Sequence, residues 1–228
     1  MKKNIIVFIG LVSASLFAGG TITGKVNYKG APGKPVENKM TPECKTANAG
    51  KVVMNDATVI NSNNTVQWAM VSLKDAKAPA GDTGTATPVT FDQHGCMYTP
   101  HVFGIRVNQT LKILNSDGFL HNVNGMPKQS PKFNNGMPTK GSTIEKKFTK
   151  PEMAVRIKCD VHPWMNAYAN VFDHPYFAVT DNAGNYTISN VPPGDYTIEM
   201  WHEKLGTKTE KVKVTEGGSS TVDFTAGA

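Results

Sequence analysis

Val155-Arg-Ile-Lys-Cys159-Asp-Val-His162-Pro-Trp-Met165 is the stretch that decides how this chain folds. Its first half alternates. Val155, Ile157 and Cys159 share one face and Arg156 and Lys158 the other, the period of a half-buried strand. Its second half sets a thiolate, an imidazole and a thioether at i, i+3 and i+6. A strand ending on an inward-facing Cys159, followed by a short loop, can return His162 and Met165 to one centre. Thirty-eight residues before Cys159, His121 stands in Asn115-Ser-Asp-Gly-Phe-Leu-His121-Asn-Val123, after a second alternating run, Thr110-Leu-Lys-Ile-Leu114. Two imidazoles, one thiolate and a distant thioether are the ligand set of a blue-copper electron-transfer site. The expected roles are His121, Cys159 and His162 as equatorial ligands and Met165 as weak axial ligand of one copper ion. Zinc fits less well, because structural zinc sites take four Cys or His ligands and thioether binds it poorly. A Cys159/His162 nucleophile pair lacks an orienting partner. No Cys-x-x-Cys-His haem signature, acid/base pair or nucleophile elbow is present, so an enzyme is not expected.

The rest of the chain has the texture of an all-β protein. Short alternating runs recur between Gly, Pro, Asn and Asp: Thr21–Tyr28, Val66–Leu73, Tyr196–Trp201 and Thr221–Phe224. No segment carries a long helical period, and many short strands with regular turns point to β-sandwiches. Ala76–Pro88 and Gly125–Gly141 read as irregular, the second as a long loop beside the metal ligands. Residues 29–51 are also irregular and contain Cys44.

Two family resemblances rest on these residues. The segment from Tyr98-Thr-Pro-His-Val-Phe-Gly-Ile-Arg-Val through His121-Asn-Val to Cys159 resembles a cupredoxin, a Greek-key β-sandwich. Within that family the Cys-x-x-His-x-x-Met loop is most similar to amicyanin, whereas plastocyanins carry a longer gap before Met. The resemblance implies that the Asn122 backbone N–H donates to the Cys159 sulfur; a polar loop residue is the plainer reading of Asn122. Phe177-Ala-Val-Thr-Asp-Asn-Ala-Gly-Asn-Tyr-Thr-Ile-Ser-Asn-Val-Pro-Pro-Gly-Asp-Tyr-Thr-Ile-Glu199 resembles the carboxypeptidase-regulatory-like (transthyretin-like) sandwich. Its Asn182-Ala-Gly-Asn185 and Pro192-Pro193-Gly194 supply tight turns. About 50 residues is short for that domain, and Ile22–Gly30 and Val66–Lys74 resemble its first strands. The expected partition is a discontinuous smaller sandwich, 21–75 with 176–226, around a copper domain at 89–174. Two domains in series after an irregular arm is the rival, favoured by the shortness of most connections. The whole chain resembles periplasmic, methylamine-utilisation-like proteins that join the two modules.

Met1-Lys-Lys followed by an apolar run from Ile5 to about Ala18 reads as a signal peptide, residues 1–18. The run is short for a membrane span, which needs roughly 20 apolar residues. Export to the periplasm is therefore expected, without membrane insertion after cleavage. Removing Lys2 and Lys3 leaves 22 basic against 18 acidic side chains, a net of +4. The bases are scattered and not interleaved with stacking aromatics, which argues against nucleic acid as a partner. In an oxidising compartment, pairing Cys44 with Cys96 leaves Cys159 free, and metal ligation explains an unpaired thiol. His101 reads as a surface histidine, and Met126 as close enough in sequence to His121 to line the metal pocket. Trp164 is compatible with core or with an apolar patch, where a redox partner would dock beside His162. Three functions follow from these residues: an electron carrier, a copper carrier or store, or a binding and adhesion module with an accessory copper site. The last requires exposed aromatics among Tyr186, Tyr196 and Trp201.

Overall fold

The computed structural model describes residues 18–31, 33–82, 84 and 87–227, so the signal-peptide expectation lies, apart from Ala18, outside the described residues. The first seven strands are β1 (Gly20–Lys29), β2 (Met70–Leu73), β3 (Val89–His94), β4 (Met97–Thr99), β5 (Val102–Arg106), β6 (Leu111–Asn115) and β7 (His121–Gly125). One short helix, α1 (Pro42–Ala47), lies between β1 and β2. There follow β8 (Phe133–Met137), β9 (Thr143–Lys146), β10 (Glu152–Lys158), β11 (Asn166–Phe172) and β12 (Phe177–Val179). The last strands are β13 (Asn185–Val191), β14 (Gly194–His202), β15 (Gly206–Val214), β16 (Ser219–Thr221) and β17 (Phe224–Gly227). The chain is all-β, as its alternation implies.

The strands form four sheets. Two of them, β4-β3-β6-β9 and β5-β11-β10-β7-β8, enclose one core that contains Phe91, Ile113, Val123, Ile157, Cys159 and Met165. The other two, β13-β1-β16 with β17 also on β1, and β12-β2-β14-β15, enclose a second core around Ile22, Val71, Ile188, Ile198 and Phe224. Strands β1 and β2 thus pair with strands from the last quarter of the chain, across β3 to β11.

Several elements depart from the sequence reading, each for a local reason. Val66–Leu73 is strand only from Met70, because Trp68 adopts φ 64° and breaks the extended backbone. The supposed loop 125–141 contains β8, which pairs with β7 in register from His121↔Met137 to Gly125↔Phe133. Gly125 makes that pairing possible: a Cβ there would lie 2.2 Å from the Phe133 ring. The run at 221–224 is split into β16 and β17, both parallel to β1. Between them the Val222 carbonyl crosses so close to Gly24 that a Cβ would lie 1.8 Å from it. Strand β15, rich in exposed Lys and Thr, gave little hydrophobic signal and is held by its nine-residue register on β14.

Where the two pairs of sheets meet, Met70, Val102 and Phe172 pack with Trp68, Phe177 and Trp201. His101 closes one end of this seam and is 2% exposed, not a surface residue. Its Nδ1 faces the Asn166 carbonyl at 3.0 Å and Asp56 Oδ1 at 3.2 Å, and its Nε2 faces the Glu203 carboxylate. Acceptors at both ring nitrogens require both to carry protons, so His101 is an imidazolium. Burial alone would lower its pKa, but the Asp56 and Glu203 carboxylates outweigh this and raise it to about 9. His202, at the end of β14, is buried, and burial lowers its pKa to about 4.

Candidate metal centre

Strand β10 delivers Cys159 by the alternation of its residues: Val155, Ile157 and Cys159 are buried, and Arg156 and Lys158 turn outward. Opposite them on β11 stand small residues, Val155↔Ala169 and Ile157↔Ala167, which leave room for the branched chains. The loop after Cys159 folds back on itself. Cys159 N–H donates to the Met165 carbonyl at 3.1 Å, and Met165 N–H donates to the His162 carbonyl at 2.9 Å. His162 N–H points at the Cys159 sulfur, 3.4 Å away. His121 arrives from the first position of β7.

Three of the four expected ligands converge. One donor atom from each of His121, Cys159 and His162 lies within 4.8 Å of the others, and all three residues are buried. The two imidazoles meet through their Nδ1 atoms at 2.9 Å, and Cys159 Sγ is 3.8 Å from His162 Nδ1. Met165 is fully buried in the same core. Soft sulfur with two imidazole nitrogens, sealed from water, is a donor set that fits copper. Met126, by contrast, is 42% exposed and belongs to the surface.

Burial pushes the Cys159 thiol up. Hydrogen bonds from His121 and His162 and the backbone N–H groups of Asn122 and His162 outweigh it and bring the thiol down to about 6. The site therefore favours thiolate, the form that ligates metals. Asn122 sits in a second net: its Oδ1 accepts from Asp160 N–H, its Nδ2 donates to Asn134 Oδ1, and its carbonyl accepts from the Tyr98 hydroxyl at 2.6 Å. These contacts tie the loop of His121 to the loop of Cys159.

Asp117 has a role that the sequence did not disclose. Its Oδ2 accepts from His121 Nε2 at 2.8 Å. The same carboxylate takes the backbone N–H groups of Gly95 and Cys96, each at 2.8 Å. Gly95 and Cys96 form the two-residue turn between β3 and β4, both at positive φ (60° and 57°), a conformation suited to a tight hairpin. Burial would raise the Asp117 carboxyl, but His121 and the two N–H groups hold it below the usual range. With a carboxylate on Nε2, a proton is held there, which leaves Nδ1 as the nitrogen that faces His162 and would bind a metal. Only the position of Asp117 four residues before His121 was visible beforehand; its contact depends on the turn at Gly95. Asp117→Asn is expected to lower copper affinity by about 10- to 100-fold and to shift the pH dependence of uptake, measured by chelator competition at several pH values.

The Cys44–Cys96 disulfide is formed and Cys159 is the free thiol. It anchors α1 over the centre, and Asn48 Nδ2 donates to the Gly95 carbonyl at 2.8 Å beside it. Trp164 Nε1 donates to the Cys96 carbonyl at 3.0 Å, and its ring stands 5.2 Å from that of His162. His162 is consequently 1% exposed, while its sequence neighbour Val161 and Leu120 beside His121 are 45% and 48% exposed. Tyr186 is buried, its hydroxyl bound to the Val222 carbonyl, which removes it from any aromatic binding platform.

No helix among the described residues is long and apolar enough to cross a membrane. No curated protein matches the chain. Among solved structures it is similar to a Cu-containing nitrite reductase (NirK) from Thermus scotoductus SA-01, at 27% identity and TM-score 0.35 over 38% of this chain. The match spans only 22% of the reductase. A purple cupredoxin from Nitrosopumilus maritimus aligns at 20% identity and TM-score 0.32, over 37% of this chain and 99% of that one. An oxidised amicyanin mutant aligns at 17% identity and TM-score 0.34, over 45% of this chain and 98% of that one. Residues 166–227, from β11 to β17, match the family model of the carboxypeptidase regulatory-like domain.

Proposed function

We propose that this protein is a periplasmic type 1 copper protein that carries electrons and catalyses no reaction of its own. The observation behind this reading is the buried convergence of His121 Nδ1, His162 Nδ1 and the Cys159 sulfur. Met165 would be the weak axial ligand. Copper held there would supply a one-electron couple whose two states accept the same ligands. The chain supplies rigidity. Strand β10 and the backbone bonds of the 159–165 loop fix Cys159 and His162, and Asp117 fixes His121. Burial of both imidazoles excludes water and favours electron traffic over release of the metal. A redox partner would meet the surface near His162 and Trp164, where Val161 and Leu120 are exposed. In this reading a copper unit at 89–174 is inserted in a smaller sandwich made of 21–75 with 176–226.

Purified metal-free protein titrated with Cu(II) tests this. It should take up one equivalent and develop an intense visible thiolate-to-copper band that ascorbate bleaches and air restores. A colourless copper complex would refute electron carriage at this site.

A further inference from the structure

The disulfide does more than cross-link. The sulfurs of Cys44 and Cys96 and a ring nitrogen of His162 all lie within 4.8 Å of one another, and all three residues are buried. Both sulfurs are fully enclosed, and the Cys96 sulfur also lies within 4.8 Å of donor atoms of Asp117 and His121. If the S–S bond opens, two thiols face one imidazole in a dry pocket. Two sulfurs and one nitrogen are a soft, low-coordinate set, which selects Cu(I), whereas zinc favours four ligands.

Helix α1 has six residues, too few to persist alone. The segment around it, closed on itself by the isolated bridge Glu37↔Met54, meets the sheet through Met40 and Val53 in the core, Asn38 on the Met97 sulfur and Asn48 on the Gly95 carbonyl. The sulfur link adds the covalent tie between this segment and the sheet that carries Cys96.

We propose that Cys44 and Cys96, as thiols, form with His162 a second soft-metal site of the Cu(I) class, and that formation of the disulfide closes it. The site goes beyond the copper centre proposed above and shares only His162 with it. Opening takes two electrons either from two reductant thiols, which give up their protons and leave as a disulfide, or from a phosphine, which leaves as its oxide while water supplies the oxygen and both protons; either way the protein gains two thiols. Binding of Cu(I) releases the two thiol protons. Closing returns two electrons to a disulfide-bearing oxidant, which leaves as two thiols. Because the sulfurs are buried once joined, the closed form resists exchange, and the dithiol site belongs to the newly exported chain.

Cu(I) stoichiometry in competition with bicinchoninate tests the proposal. Because His162 belongs to both ligand sets, the comparison is made where the first centre lacks its thiolate. Cys159→Ala opened anaerobically with a phosphine, then freed of it, should bind one more equivalent than oxidised Cys159→Ala, and Cys159→Ser should give the same difference. Cys44→Ala/Cys96→Ala/Cys159→Ala should show none. Equal stoichiometry in the opened and oxidised forms of both Cys159 variants overturns the proposal, and that comparison stands even if the triple variant does not fold. Failure of the copper-centre reading looks different: oxidised wild type would bind no copper, with the one-equivalent difference in the Cys159 variants intact.

Discussion

Cys159→Ala should erase the intense visible band of the copper-loaded protein completely, not shift it. The band requires a thiolate on the metal, and Cys159 is the free cysteine of the chain, with the other two joined. His121 and His162 remain in the variant, so weak copper binding without colour is expected. Cys159 directly follows β10 and is 2% exposed, and alanine fits the same inward position, so far-UV circular dichroism should be unchanged. Met165→Leu provides the contrast. It removes only the proposed axial thioether, so the band should persist while the reduction potential changes. A Cys159→Ala protein that stays blue would locate the chromophore elsewhere and refute the ligand assignment.

His101→Ala should be the most destabilising single change outside the metal centre. The imidazolium is 2% exposed and is the counter-charge for Glu203, whose side chain is 6% exposed, and for Asp56. Removing one partner of a buried pair costs about 3–5 kcal/mol, because the remaining charge is left uncompensated. The pH dependence has a definite sign. The folded pKa of about 9 lies above the ordinary 6.5. The contribution is therefore fully present below pH 6.5 and is lost as pH rises through about 9. A displacement of that size corresponds to about 3 kcal/mol. Urea unfolding of wild type at pH 6 and pH 9.5 should reveal this loss, and His101→Gln should flatten the dependence. A wild-type stability that is level between those pH values would show that His101 is not charged in the fold.

The sequence was most legible where one residue's direction settles the matter. Alternation in Val155–Cys159 marked β10 and its inward face, and cysteine arithmetic marked the Cys44–Cys96 pair. It was least legible where a polar side chain acts across the chain. Asp117 gains its role from the N–H groups of a turn more than twenty residues away, and His101 from Asp56 and Glu203 on distant segments. Neither has a local period or motif. Strand β8 escaped notice because Phe133-Asn-Asn-Gly-Met137 is poor in β-branched residues. Its place depends on register with β7 and on Phe133 covering Gly125.

The long-range pairing of β1 carries a consequence for how the chain is made. Ile22 lies opposite Ile188, and Val26 opposite Phe224, so β1 meets its partners only after most of the polypeptide has been synthesised. Closing so large a loop slows assembly, whereas hairpins such as β10 with β11 can form at once. Until then both edges of β1 are open templates for another chain. The expected order of maturation is the local hairpins first and the pairing of β1 last. Expression that outpaces that pairing should yield aggregates joined through β1, and a slower synthesis rate should relieve them.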